Sequence, residues 1–392
     1  MDNAALLSIA RRFGTPTFVF DELALAERMR EAKTIVGPDV RLCYSIKANP
    51  FLIPSMTALT ELLEVCSPGE LAICEQLRVA PETILFSGVN KTAADVRHTI
   101  DAGVRLFTAE SPLHVRLLDE AARESGLVLP TLLRLTAGSQ FGMDESDLRN
   151  ILARRADYPG LHIVGLHYFS GTQRKKLDSQ RKELTMLEAL MEDLKQTLGF
   201  VTERLEYGPG LYFPYFAHED DSDTLAPLRE LAPDLQRLAA RTELTIEMGR
   251  FFASACGTYL TEVVDTKVNC GCAYAIVDGG IHHVNYLGGN MGMRVPRIEH
   301  LHCDAPHEAD ARDWTLCGSL CTTADVLVRK ITFDNLTPGD LLAFRYIGAY
   351  SVTEGPALFL SRDMPRIVLH GVSGDRLARD TVHASRLNCP SV

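Results

Sequence analysis

No apolar run in this chain approaches the length needed to cross a bilayer. The opening Met1-Asp2-Asn3-Ala4 lacks the basic start and apolar core of a secretion signal, so a cytoplasmic protein is expected. Positive charge is short: 40 lysines and arginines against 51 aspartates and glutamates leave a formal net charge of -11. Nucleic acid and anionic membrane both reward a basic face, so neither is an expected partner. No G-x-G-x-x-G follows an early strand, which disfavours a dinucleotide fold. Metal signatures are missing as well. No HExxH occurs, and the close cysteine pairs, Cys270-x-Cys272 and Cys317-x3-Cys321, lack a matching second pair at zinc spacing. No metal is expected, and the ten cysteines are expected to be free thiols in a reducing compartment.

What is present is a large apolar fraction, 46% of 392 residues, enough for one large barrel and a smaller domain. Short β-rich runs at 40–47, 62–66, 83–87, 105–109, 131–136, 162–169, 204–208 and 244–249 alternate with amphipathic stretches such as 68–80, 93–102, 113–125, 145–155, 177–198 and 225–240. Eight such units predict a closed parallel (β/α)8 TIM barrel; an open doubly wound sheet is the alternative. Beyond about residue 254 the pattern changes to strands and turns at 257–269, 274–278, 326–333, 340–344 and 366–370, an all-β domain. The acidic stretch 304–313 reads as a solvated loop. The expected division is 1–25, whose strand at 17–20 is available to pair with the C-terminal domain; 26–254, the barrel; and 255–392, the β domain.

Chemistry in such a barrel gathers at the carboxyl ends of the strands. Lys47, in Tyr44-Ser45-Ile46-Lys47-Ala48-Asn49-Pro50, ends the first run. A partly desolvated lysine there is a candidate Schiff-base former, and equally a plain surface lysine on this segment alone. Glu64 lies within the second run, Ser67-Pro68-Gly69-Glu70 follows it, and Arg134 lies in the fifth. His167-Tyr168-Phe169-Ser170-Gly171-Thr172-Gln173 closes the sixth, Gly208-Pro209-Gly210 follows the seventh and Glu247-Met248-Gly249-Arg250 ends the eighth. Singly, each has a bland reading as a cap, a turn or a surface ion pair. Together they meet the needs of one cofactor. Backbone amides of a glycine loop cradle a phosphate, a carboxylate holds a heteroaromatic nitrogen protonated, an amine makes a Schiff base and an aromatic ring stacks. Pyridoxal phosphate is that cofactor.

The combination YxxKAN, SxGEL, GxxxxxGTQ, ExGR, CxxxD and GAY, spread from Gly14-Thr15-Pro16 to Gly348-Ala349-Tyr350, resembles the fold type III, alanine-racemase-like pyridoxal-phosphate decarboxylases, the diaminopimelate, ornithine and arginine decarboxylase group. The resemblance implies that Lys47 binds the cofactor and that Thr172, Gly208, Pro209, Gly210 and Tyr350 hold its phosphate, with Arg250 nearby. It places Glu247 at the pyridine nitrogen and Arg134 towards the ring hydroxyl, with Glu64 and His167 in the same site. It further implies a homodimer with shared active sites, in which Cys321 of one subunit returns a proton in the other's site and Asp325 accompanies it.

Two positions depart from the family pattern. Phe169 stands where most members stack a histidine; it offers a ring face but no hydrogen bond. Thr322 replaces the glutamate that follows the cysteine in diaminopimelate decarboxylases and helps hold the far end of the substrate. A buried ammonium without a carboxylate partner is costly, so a free diamino acid is a weaker expectation. Within the family the chain resembles the butirosin-type glutamyl-acyl-carrier-protein decarboxylases, in Gln140-Phe141-Gly142-Met143-Asp144-Glu145-Ser146, Gly171-Thr172-Gln173, Pro214-Tyr215-Phe216, Asp278-Gly279-Gly280, His282-His283 and Leu320-Cys321-Thr322. Arg294, in the segment 288–294, is a candidate for a substrate carboxylate or a carrier, or an ordinary surface arginine. The expected activity is α-decarboxylation of a conjugated or carrier-bound amino acid. Diaminopimelate decarboxylation, and racemisation on the same fold, are the alternatives; Glu247 argues against a racemase, because racemases of this fold place an arginine there.

Overall fold

The computed structural model describes residues 1–286, 292–301 and 311–391. Parts of two segments noted in the sequence, 288–291 and 304–310, lie outside the described residues. After a first strand β1 (Thr17–Asp21) come β2 (Val40–Ser45), β3 (Leu62–Val65), β4 (Ile84–Phe86), β5 (Leu106–Ala109), β6 (Leu129–Leu135), β7 (Leu161–Phe169), β8 (Arg204–Gly208) and β9 (Glu243–Met248). β2 to β9 are the eight runs seen in the sequence, and they form a closed parallel barrel in which β9 pairs back onto β2, Cys43 opposite Glu247. The floor of the barrel is apolar: Cys43, Leu62, Leu85, Leu106, Leu132 and Val164 fill one layer. Helices between the strands begin where the sequence supplies a cap. Ser67, Thr92 and Ser111 each accept a backbone N–H of the first turn, and Thr92 with Asp95 forms a reciprocal capping box.

One compact unit comprises 28–213 and 223–252, the barrel. The other comprises 1–27, 214–222 and 253–392 and is mostly β. Its strands are β1, β10 (Gly257–Asn269), β11 (Cys272–Val277), β12 (Ile298–Leu301), β13 (Arg312–Cys317), β14 (Val326–Phe333), β15 (Leu341–Arg345), β16 (Arg366–Gly371) and β17 (Gly374–Arg379). β1 lies between antiparallel β10 and parallel β16. A helix not anticipated from the sequence, Asn3–Phe13, is capped by Asp2 and buries Leu6, Ile9 and Ala10 against Val19, Leu260 and Val368.

Residues 214–222 were expected inside the barrel domain and instead belong to the β unit. The reason is aromatic packing. Tyr215 and Phe216 set their rings 5.6 and 6.2 Å from that of Tyr286, and Asp221 accepts from Tyr346 at 2.6 Å while pairing with Arg297 at 3.0 Å.

Candidate active site

The turn after β2 is locked by its own sequence. The Tyr44 hydroxyl donates to the Asn49 carbonyl at 3.0 Å, and the Asn49 side chain accepts from Phe51 N–H at 3.1 Å. Gly249, at the end of β9, packs on this turn; a Cβ there would lie 2.7 Å from the Ala48 methyl. The turn sends up Lys47, whose side chain is 39% exposed while its carboxylate neighbours are buried. Its ammonium pairs with Glu64, and stands 3.5 Å from Cys66 Sγ and 3.8 Å from Glu247 Oε1.

On the adjoining strands β7, β8 and β9, strand alternation brings His167, Glu206 and Glu247 into one buried group whose side-chain nitrogen and oxygen atoms come within 4.8 Å of one another. His167 Nε2 is 3.0 Å from Glu247 Oε2, and the Ser45 hydroxyl donates to Glu247 Oε1 at 3.2 Å. Burial alone would push the Glu247 carboxyl up. The His167 contact and the Lys47 charge outweigh it and hold Glu247 below the usual carboxylate range.

The loops after β7 and β8 are fastened together. Arg174 N–H donates to Gly210 O at 3.0 Å, and the Gln173 amide brackets Phe213, accepting from its N–H at 2.7 Å and donating to its carbonyl at 2.9 Å. Gly210 has φ +57°, and a Cβ there would meet Gly171 O at 1.8 Å, so only glycine fits. A Cβ on Gly208 would strike the Phe169 ring at 2.4 Å. Thr172 is exposed at the rim. Beneath the rim, Glu183 accepts from Arg174, Ser170 and Tyr207 at 2.7–2.8 Å, tying the loop to the helix Asp178–Leu198.

Arg134 is buried, donates to Glu110 at 2.7 Å and lies 4.9 Å from the Phe141 ring centre. Beside it Lys91 donates to Gly88 O; burial lowers its pKa to about 8 against the pull of Glu110.

Arg294, Cys321, Thr322, Asp325 and Tyr350 belong to the β unit. Cys321 is exposed. Asp325 is buried, its two oxygens accepting from Ile281 N–H at 2.8 Å and Leu320 N–H at 2.7 Å, so it holds the loop that carries Cys321. The Thr322 hydroxyl accepts from Ala324 N–H at 3.3 Å. Tyr350 sits at φ +68°, and Arg294 lies 5.1 Å over the Phe216 ring. The structure thus brings Lys47, Glu64, His167 and Glu247 together in the barrel. Ser45, Cys66, Glu110, Glu183 and Glu206 were not anticipated. Glu206 carried a signal: it lies two residues before Gly208, on the same inward face of a buried strand.

Residues 23–254 match the family described as pyridoxal-dependent decarboxylase, pyridoxal binding domain. The L-glutamyl-BtrI acyl-carrier-protein decarboxylase of Niallia circulans is 27% identical, over 94% of this chain and 92% of the relative. The diaminopimelate decarboxylase of Aquifex aeolicus is 26% identical, over 89% and 85%. Among solved structures, that of AQ1208 from Aquifex aeolicus superposes with a TM-score of 0.86 at 25% identity, covering 97% of this chain and 93% of that one. The residues present fit pyridoxal phosphate. The glycine cradle leaves room where a Cβ would clash, a buried carboxylate held ionised can face a ring nitrogen, and a lysine stands beside it.

Proposed function

The chain belongs to the pyridoxal-dependent decarboxylases, and on that premise we propose that its substrate is an amino acid whose far end is acylated, amidated or carrier-bound, in a specialised pathway of the siderophore or antibiotic kind. When bound, pyridoxal phosphate supplies an electron sink for the pair left as carbon dioxide departs. Lys47 would hold the cofactor and give way to the substrate amine. Glu64, its ion-pair partner, would receive the Lys47 ammonium that this exchange frees. Glu247, fixed by Ser45 and His167, keeps a proton on the ring nitrogen. The amides of 208–210, the Thr172 hydroxyl, Arg250 and Tyr350 serve the phosphate, Phe169 presents its ring face and Arg134 lines the hydroxyl side. Cys321, supplied by the partner in a homodimer, returns a proton to the α-carbon, and Thr322 and Arg294 meet the far end of the substrate.

The observation that carries the substrate reading is Thr322. Directly after Cys321 the chain offers a neutral hydroxyl already engaged with its own loop, where a diamino acid's distal ammonium would need a carboxylate. The relative that acts on a glutamyl carrier protein supports the same class. Replacement of Thr322 by Glu tests it. Turnover of free diaminopimelate should rise at least about tenfold and turnover of a glutamyl conjugate should fall. No change in that ratio would remove Thr322 as the basis of the reading.

A further inference from the structure

Glu206 is 1% exposed, and its carboxyl oxygens meet no nitrogen or oxygen donor; the Cys43 thiol is the hydrogen-bonding group that reaches them. It faces Cys43 on β2, Lys47 after β2, Glu64 on β3, His167 on β7 and Glu247 on β9. Lys47 already pairs with Glu64, and His167 stands against Glu247. A third buried anion would have no counter-ion of its own, and two carboxylates this close do not both ionise readily.

We propose that Glu206 is a neutral carboxylic acid in the resting protein and a positioning residue: by staying uncharged beside Glu247, it leaves that carboxylate as the single anion available to the cofactor's ring nitrogen. Burial, then the charges of Glu247 and Glu64, push Glu206 well above the carboxylate range, whereas Glu247 is held below it. The opposite shifts separate the pair into one acid and one base. The Cys43 thiol, pushed up by burial and by Glu206, stays protonated and adds no charge. The positioning role rests on the cofactor assigned above; the protonation of Glu206 and its test do not, and neither depends on the substrate.

The test uses the full-length chain, wild type and Glu206→Gln, unfolded in urea without cofactor between pH 5 and 8.5. A carboxyl whose folded pKa is raised contributes fully below its unfolded value of about 4.3, and that contribution is lost as pH rises towards the folded value. Glutamine does not titrate. Relative to the variant, wild type should therefore lose about tenfold in its folding equilibrium constant per pH unit until the folded value is reached, and no more above it. A difference independent of pH would overturn the protonation. Should the glutamine variant not fold, infrared spectra of wild type at pH 7 should show a buried protonated carboxyl band, and its absence would overturn the proposal equally. For the positioning role, the visible absorbance of the cofactor-loaded wild type should take a further step as pH rises and Glu206 ionises beside Glu247, and Glu206→Gln, which stays uncharged, should lack that step. Identical titrations in the two proteins would leave Glu206 a filler of space and nothing more.

Discussion

His167 Nε2 and Glu247 Oε2 stand 3.0 Å apart at the mouth of the barrel, both side chains under a tenth exposed. The contact holds the carboxylate ionised where water cannot do so, which is the condition for keeping a proton on a ring nitrogen. Because the Glu247 pKa is depressed on folding, its contribution to stability is present above the unfolded value of about 4.3 and is lost as pH falls through and below it. Glu247→Gln should flatten the acid limb of the stability profile and lower kcat by about a hundredfold. Urea unfolding between pH 3 and 7, with steady-state kinetics, checks both effects.

Lys91 carries the complementary prediction on the alkaline side. Its pKa is lowered on folding, to about 8, so the unfolded chain binds more protons between pH 8 and about 10.4 and stability from this group rises across that window. Lys91→Met should abolish that rise and should not destabilise the protein at pH 7 through loss of charge. Chemical unfolding at pH 7.5 and 9.5 checks it.

Gly210 admits no side chain, because a Cβ would press on Gly171 O in a left-handed backbone conformation. Gly210→Ala should cost about 1–3 kcal/mol of stability. It should also weaken cofactor retention, because the two loops it disturbs are those assigned to the phosphate. Urea titration and spectroscopic cofactor titration measure the two effects separately.

The proposed sharing of sites across a dimer is open to a complementation test. Neither Lys47→Ala nor Cys321→Ala should be active alone. Random mixing of the two chains should restore about a quarter of the wild-type sites, since half the dimers are hybrid and each hybrid has one intact site. Mixed dimers shown to form yet inactive would contradict the sharing.

The barrel was legible because each strand is a short apolar run bounded by a helix with its own start signal, as at Ser67, Thr92 and Ser111. The assignment of 214–222 to the β unit was not legible. It depends on Tyr215 and Phe216 meeting Tyr286, about seventy residues away, and no local pattern encodes that meeting. Lys47, Glu64, His167 and Glu247 could be picked out because they stand at or near strand ends beside motif residues. Glu206 had only its alternation with Gly208 to mark it as inward-facing, and one acidic residue on such a strand becomes notable only once the barrel closes and sets it beside Glu247. The fastening of Arg174 to Glu183 was hidden for a similar reason: it joins a loop to the helix that follows, and either residue alone reads as surface charge.

The most direct test of the central claim is carbon dioxide release, with pyridoxal phosphate present, from a panel that sets free diaminopimelate, lysine and ornithine beside glutamyl and diaminopropionyl conjugates. Release from a conjugate, with the free diamino acids turned over at least about a hundredfold more slowly, is the expected result. Efficient release from free diaminopimelate, with the conjugates ignored, would contradict the account and make this a decarboxylase of free diamino acids.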